Sequence, residues 1–109
     1  RQARLVVRDT DLVSTAVYAR HYYGSCPAWI EAAGRRRAGD LYLLLRPDVP
    51  WMPDGLQRDR AGDGERAEMH ARFRVALAST GARVIEIGGS WTDRRRQAFA
   101  AVAAAVPAK

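Results

Sequence analysis

Three short apolar runs punctuate the chain, each bounded by polar or turn residues. Leu5-Val6-Val7 lies between Arg4 and the polar stretch Arg8-Asp9-Thr10-Asp11. Leu41-Tyr42-Leu43-Leu44-Leu45 ends at Arg46-Pro47. Arg83-Val84-Ile85-Glu86-Ile87 begins after Gly81 and ends at Gly88-Gly89. Short runs beside turn residues, two of them with β-branched side chains, predict three strands. The second run does not alternate, which suits a strand covered on both faces.

Longer stretches with helical spacing lie between these runs. Leu12, Val13, Ala16 and Val17 share one face, with Asp11 as a possible N-cap. Pro27 precedes a second pattern from Ala28 to Ala33 and suits a first helical position. Met69, Phe73, Ala76 and Leu77 form a third stripe, with Gly81 just past its end. Phe99, Val102, Ala103 and Val106 form a fourth, stopped by Pro107 and capped by Thr92 or Ser90. The predicted order is strand, two helices, strand, long loop, helix, strand, helix. Strands separated by helices imply crossover connections, so the expected fold class is α/β with a parallel sheet and flanking helices. Ligands of such folds bind beyond the carboxyl ends of the strands. Those ends are Asp9-Thr10-Asp11, the loop 47–64 and Gly88-Gly89-Ser90.

Composition narrows the chemistry. The 109 residues suit one domain, spanning 1–109, and 48% hydrophobic content argues against disorder. The net charge of +6 is carried almost wholly by arginine, since Lys109 is the sole lysine. Chemistry needing an internal lysine, such as a phosphate-binding P-loop lysine or a Schiff base, therefore has no candidate. Cys26 is alone, so no intrachain disulfide forms, and with His21 and His70 dispersed no zinc motif arises. The longest apolar stretch, residues 98–106, is far short of the roughly 20 residues that span a bilayer. These features lead us to expect a cytoplasmic protein without a membrane partner. The first residue is Arg1 rather than Met, which leads us to expect a processed or partial chain.

The candidate residues each carry two readings. Asp9 and Asp11 could hold a hydrated magnesium ion or accept a substrate proton; alternatively Asp11 is an N-cap and Asp9 a solvated strand end. Trp51, stiffened by Pro47, Pro50 and Pro53, could stack on a planar ligand ring or plug the loop onto the core. Arg58 and Arg60 could grip phosphate oxygens, or pair with Asp59 and Asp63 at a helix start. Arg35-Arg36-Arg37 and Arg94-Arg95-Arg96 are expected to be solvated helix faces, and His21 and Tyr22-Tyr23 packing residues. The basic charge also admits a nucleic-acid-binding module, although aromatic residues are only 8% and the basic residues are interspersed with acids. A third possibility is a non-catalytic module that completes a partner's sheet through an exposed edge.

Asp9-Thr10-Asp11, Ser14-Thr15, Tyr22-Tyr23-Gly24, Asp40 through Leu45, Asp48-Val49-Pro50-Trp51 and Asp54-Gly55 together resemble the P-loop kinase family of NadR-like ribosylnicotinamide kinases. These are often described as AAA-type ATP-binding domains. Gly88-Gly89-Ser90-Trp91 followed by Arg94 or Arg95 fits the end of that pattern. The resemblance implies a P-loop NTPase or nucleoside-kinase fold, with ATP and Mg2+ as cofactors and a small nucleoside as substrate. It implies that Asp9 acts as general base near magnesium and that Asp11 supports it. It places Trp51 against the nucleoside ring, Asp54-Gly55 at the opening of a lid over 47–64, and Arg58 and Arg60 on phosphates. The G-x-x-x-x-G-K-[ST] loop of such domains is absent from the 109 residues. The resemblance thus covers the C-terminal two-thirds of the family domain, and the expected consequence is an inactive polypeptide.

Overall fold

The computed structural model describes residues 5–48 and 63–106. Six elements run α1 (Leu12–Tyr23), α2 (Ala28–Arg36), β1 (Leu41–Leu45), α3 (Asp63–Ala78), β2 (Arg83–Ile87) and α4 (Trp91–Ala105). The strands pair in parallel, from Leu41 opposite Arg83 to Leu45 opposite Ile87. This is an α/β arrangement with a two-stranded parallel sheet and four helices among the described residues.

The helix ends follow local chemistry. Asp11 caps α1 by accepting from the Val13 N–H at 3.0 Å, and Gly24 closes the helix in the left-handed region at φ 80°. Ser90 and Asp93 form a reciprocal capping box at the start of α4. Pro27 stands at the N-cap position of α2, one residue before the expected place.

The core is small and lies on one face of the sheet. Val13, Leu44 and Leu77 are buried together, with Tyr42, Phe73, Ala76 and Val84 packed around them. Side chains alternate along a strand, so Tyr42, Leu44, Val84 and Glu86 face α1 and α3. Leu41, Leu43, Leu45, Ile85 and Ile87 face the opposite side, where α4 packs against β2. Ile87 is almost fully buried.

Two expectations need correction. Leu5-Val6-Val7 forms no strand, and its side chains are exposed. A strand exists only where a neighbour supplies its backbone partners, and among the described residues β1 pairs with β2 alone. The buried stripe of α4 is also rotated. Arg94, Gln97, Ala98, Ala101 and Val102 turn inward, whereas Phe99 is 70% exposed and Ala103 is exposed too. Among the described residues, no helix is long and apolar enough to cross a membrane.

Candidate functional site

The carboxyl ends of β1 and β2 meet the start of α4. The arginine that joins them is Arg94, whose side chain is only 7% exposed. Its guanidinium donates to the Arg46 carbonyl at 2.7 Å and the Gly89 carbonyl at 2.9 Å, and it pairs with the Asp48 carboxylate. The other Asp48 oxygen accepts from the Gly89 N–H at 2.9 Å. That backbone hydrogen bond, with the Arg94 pair, holds the Asp48 carboxyl below its ordinary range. Gln97 completes the junction by exchanging two hydrogen bonds with Gly88, at 3.0 and 2.9 Å.

Glycine is required here for two separate reasons. Gly89 has φ +97°, a conformation that side chains oppose. At Gly88, a Cβ would lie 2.6 Å from an Asp48 oxygen and 3.0 Å from Arg46 Cδ. The close approach of the two strand ends therefore depends on a missing side chain.

A second charged group sits on the α3 face of the sheet. Glu86 accepts from Arg74 Nε at 2.7 Å and Nη2 at 3.0 Å, and from Arg46 Nε at 3.4 Å. The Arg74 hydrogen bonds lead, with Arg46 and His70 adding to them, in lowering the Glu86 carboxyl to about 2. His70 Nε2 stands 3.5 Å from the same carboxylate. At the far end of α3, Glu65 meets His21 Nε2 of α1 at 2.9 Å. His21 is thus an interhelical bridge in addition to a packing residue.

Of the predicted site residues, the two that are described, Asp9 and Asp11, do not lie at these strand ends. Asp11 lies at the opposite end of β1. Its second oxygen accepts from the Tyr42 hydroxyl at 2.6 Å, and that hydroxyl accepts from the Gly39 N–H at 3.0 Å. Burial and the hydrogen bond to Asp11 raise the Tyr42 pKa. The reason is topological: α1 and α2 form a hairpin, with Gly34 packed on Val13, so the start of α1 returns beside the start of β1. Asp9 is exposed at the preceding bend and makes no hydrogen bond or ion pair with another described residue. Trp51, Asp54, Gly55, Arg58 and Arg60 lie outside the described residues, as does most of the predicted lid.

The arrangement limits what ions can be held. Among the described residues no cluster of three His, Cys, Asp or Glu side chains could cage a metal. Both Asp11 oxygens are engaged, so Asp9 is the carboxylate of the pair left for a ligand. Magnesium needs only one or two carboxylates when phosphates and waters supply the rest, and Asp9 fits that lesser role.

The sequence reading matched Arg94 or Arg95 to the end of the family pattern but missed that Arg94 is buried and joins the strand ends, and it missed Gln97 altogether. The arginine triplet reads as a solvated face, and Arg95 and Arg96 are indeed exposed. Gly88-Gly89 and the Ser90/Asp93 capping pair were the available signals, because they fix where α4 begins and so which arginine turns inward.

Comparison with known proteins adds one finding. A family model described as an AAA domain matches residues 1–94. No curated protein and no solved structure matches the chain. The matched stretch contains Asp9 and Asp11, both strands and the Asp48–Arg94 junction. The chain therefore belongs to the AAA domain family, a family of nucleotide-binding P-loop-type domains.

Proposed function

We propose that this chain is part of a phosphoryl-transfer domain that moves the γ-phosphate of ATP to a hydroxyl of a small nucleoside, with nicotinamide riboside as the leading acceptor. The observation that carries the reading is the AAA domain match over residues 1–94. The run Asp48-Val49-Pro50-Trp51 with Asp54-Gly55 adds the specific resemblance to NadR-like kinases. Asp48 gives that run a physical purpose. Its carboxylate anchors the first residue of the run to Gly89 and Arg94, so the segment that follows leaves from a fixed point at the strand ends. Parallel sheets bind ligands beyond such ends.

In this reading Asp9, which lines the same cleft as Arg46 and Pro47 at the end of β1, takes the proton of the attacking hydroxyl and offers an oxygen to magnesium. Asp11 acts only by positioning: it caps α1 and holds Tyr42. Trp51 stacks on the nucleoside ring, Asp54-Gly55 opens the lid, and Arg58 and Arg60 neutralise phosphate charge. Magnesium, when bound, would screen the phosphate oxygens. The 109 residues supply no glycine-rich phosphate loop and no internal lysine. The 109-residue polypeptide alone is therefore expected to bind ATP weakly and to turn over no substrate.

The test is a kinase assay with Mg-ATP and nicotinamide riboside, on this polypeptide and on the product of its whole reading frame. Activity in the latter, abolished by Asp9→Asn, is the expected result. Full turnover in Asp9→Asn would remove Asp9 from the chemistry. Activity on other nucleosides alone would replace the acceptor.

A further inference from the structure

Asp48 lies just outside the β ladder. The paired strands end together at Leu45 and Ile87, and the Arg46 N–H makes a last bond to the Ile87 carbonyl. Two residues further on, Asp48 is held through its side chain instead. One carboxylate oxygen accepts from the Gly89 N–H at 2.9 Å, and the other pairs with Arg94. Donors from two different segments fix both the place of the carboxylate and its rotation. The Asp48 side chain is 42% exposed and that of Arg94 only 7%. The buried partner therefore sets the geometry, and the exposed one follows it.

Packing alone does not call for an arginine at position 94. Burying a guanidinium is costly, and an apolar side chain of similar volume is often as stabilising. An apolar side chain could not join three segments. Arg94 donates to the Arg46 carbonyl beyond β1, to the Gly89 carbonyl beyond β2, and to Asp48. The Trp91 ring lies 5.4 Å from its guanidinium carbon, a cation–π distance. Gly88 permits the close approach, since a Cβ there would lie 2.6 Å from an Asp48 oxygen. None of these contacts involves the outer edge of β1.

Resting on the kinase reading above, which assigns the run beginning at Asp48 to the nucleoside, we propose that Arg94 is a positioning residue for nucleoside binding. It acts through Asp48, by fixing the point on the sheet from which that run starts, and it does not touch the substrate. Misplacing a binding segment weakens binding while the reacting groups stay intact, so the effect falls on KM rather than kcat.

The experiment is steady-state kinetics on the product of the whole reading frame, with Mg-ATP and nicotinamide riboside varied in turn. Asp48→Asn keeps the side-chain shape and an acceptor for the Gly89 N–H, but removes the charge that Arg94 meets. Arg94→Lys keeps the charge and loses the planar fork. Each should raise the nucleoside KM at least about tenfold, with kcat and the ATP KM within about threefold of the unaltered protein. The double variant should be no worse than the worse single one, because both remove the same pair. Leu77→Val is the control for stability alone, since Leu77 is buried in the core on the α3 face. It should lower the folded fraction, and with it kcat, and leave both KM values unchanged. Amide hydrogen exchange by NMR should show β1 equally protected in Asp48→Asn. That exposed position decides the outcome if Arg94→Lys folds poorly. An unchanged nucleoside KM in Asp48→Asn, or a loss confined to kcat as in Leu77→Val, overturns the proposal and leaves the kinase reading in place. An unaltered protein that phosphorylates no nucleoside overturns the kinase reading and the proposal together.

Discussion

The two sides of β1 are finished to different degrees. At its carboxyl end, three carbonyls, two glycine N–H groups and a carboxylate all find partners through Arg94, Asp48 and Gln97. Along its outer edge, three residues present backbone groups to an open cleft, opposite three exposed apolar side chains. The junction is closed by groups from within the described fold, whereas the outward-facing groups of that edge have no partner among the described residues. Buried polar groups are costly to leave unpaired, so the first region is a source of rigidity.

Breaking the junction should have the largest effect. Arg94→Leu removes the guanidinium and leaves the Arg46 and Gly89 carbonyls and the Asp48 carboxylate without it. Removing one partner of a buried pair costs about 3–5 kcal/mol. The Asp48 side chain is 42% exposed, which places the expected loss near the lower end of that range. Urea titration of the folded chain would measure it, and a loss below about 1 kcal/mol would show that the junction is not a stabilising one.

Gly88→Ala tests the same junction by crowding it. The added methyl must displace Asp48 and Arg46, and overpacking typically costs about 1–3 kcal/mol. Asp48 should then titrate closer to its ordinary range, which carboxyl NMR would detect. Ser90→Ala removes one capping bond of α4, with an expected cost of about 1 kcal/mol in the same titration. It should leave β1 exchange unchanged and so separate helix capping from strand joining.

The smallest effect comes from pH. Glu86 sits at about 2 in the folded chain against an ordinary 4.5, and Asp48 is also lowered. A carboxylate with a depressed folded pKa contributes stability that is present above its unfolded value. That contribution is lost as pH falls from about 4.5 toward 2. Glu86→Gln should flatten the acid limb of a stability–pH curve, and an unchanged limb would show that its ion pairs contribute nothing net. Exposed arginine partners keep the effect modest.

Much of the fold was legible because it is local. Asp11 and Gly24 bound α1, Ser90 and Asp93 start α4, and both β1 and β2 fall on the apolar runs that predicted them. The Met69–Phe73–Leu77 stripe does face the core. The AAA domain family was legible too, since the resemblance named it and a family model of that description matches residues 1–94. The α4 stripe misled because its alanines fit several faces, and the buried choice was made by an arginine.

The sequence by itself determined the caps, the types of the six elements that form and the parallel pairing, because these follow from side-chain shape, backbone conformation and the order of elements. Only the tertiary structure decided which arginine is buried, that Asp11 lies at the start of β1 rather than its end, and that Leu5-Val6-Val7 has no partner strand among the described residues. Each of those depends on contacts between residues distant along the chain, and no local propensity encodes a neighbour that a different segment must supply.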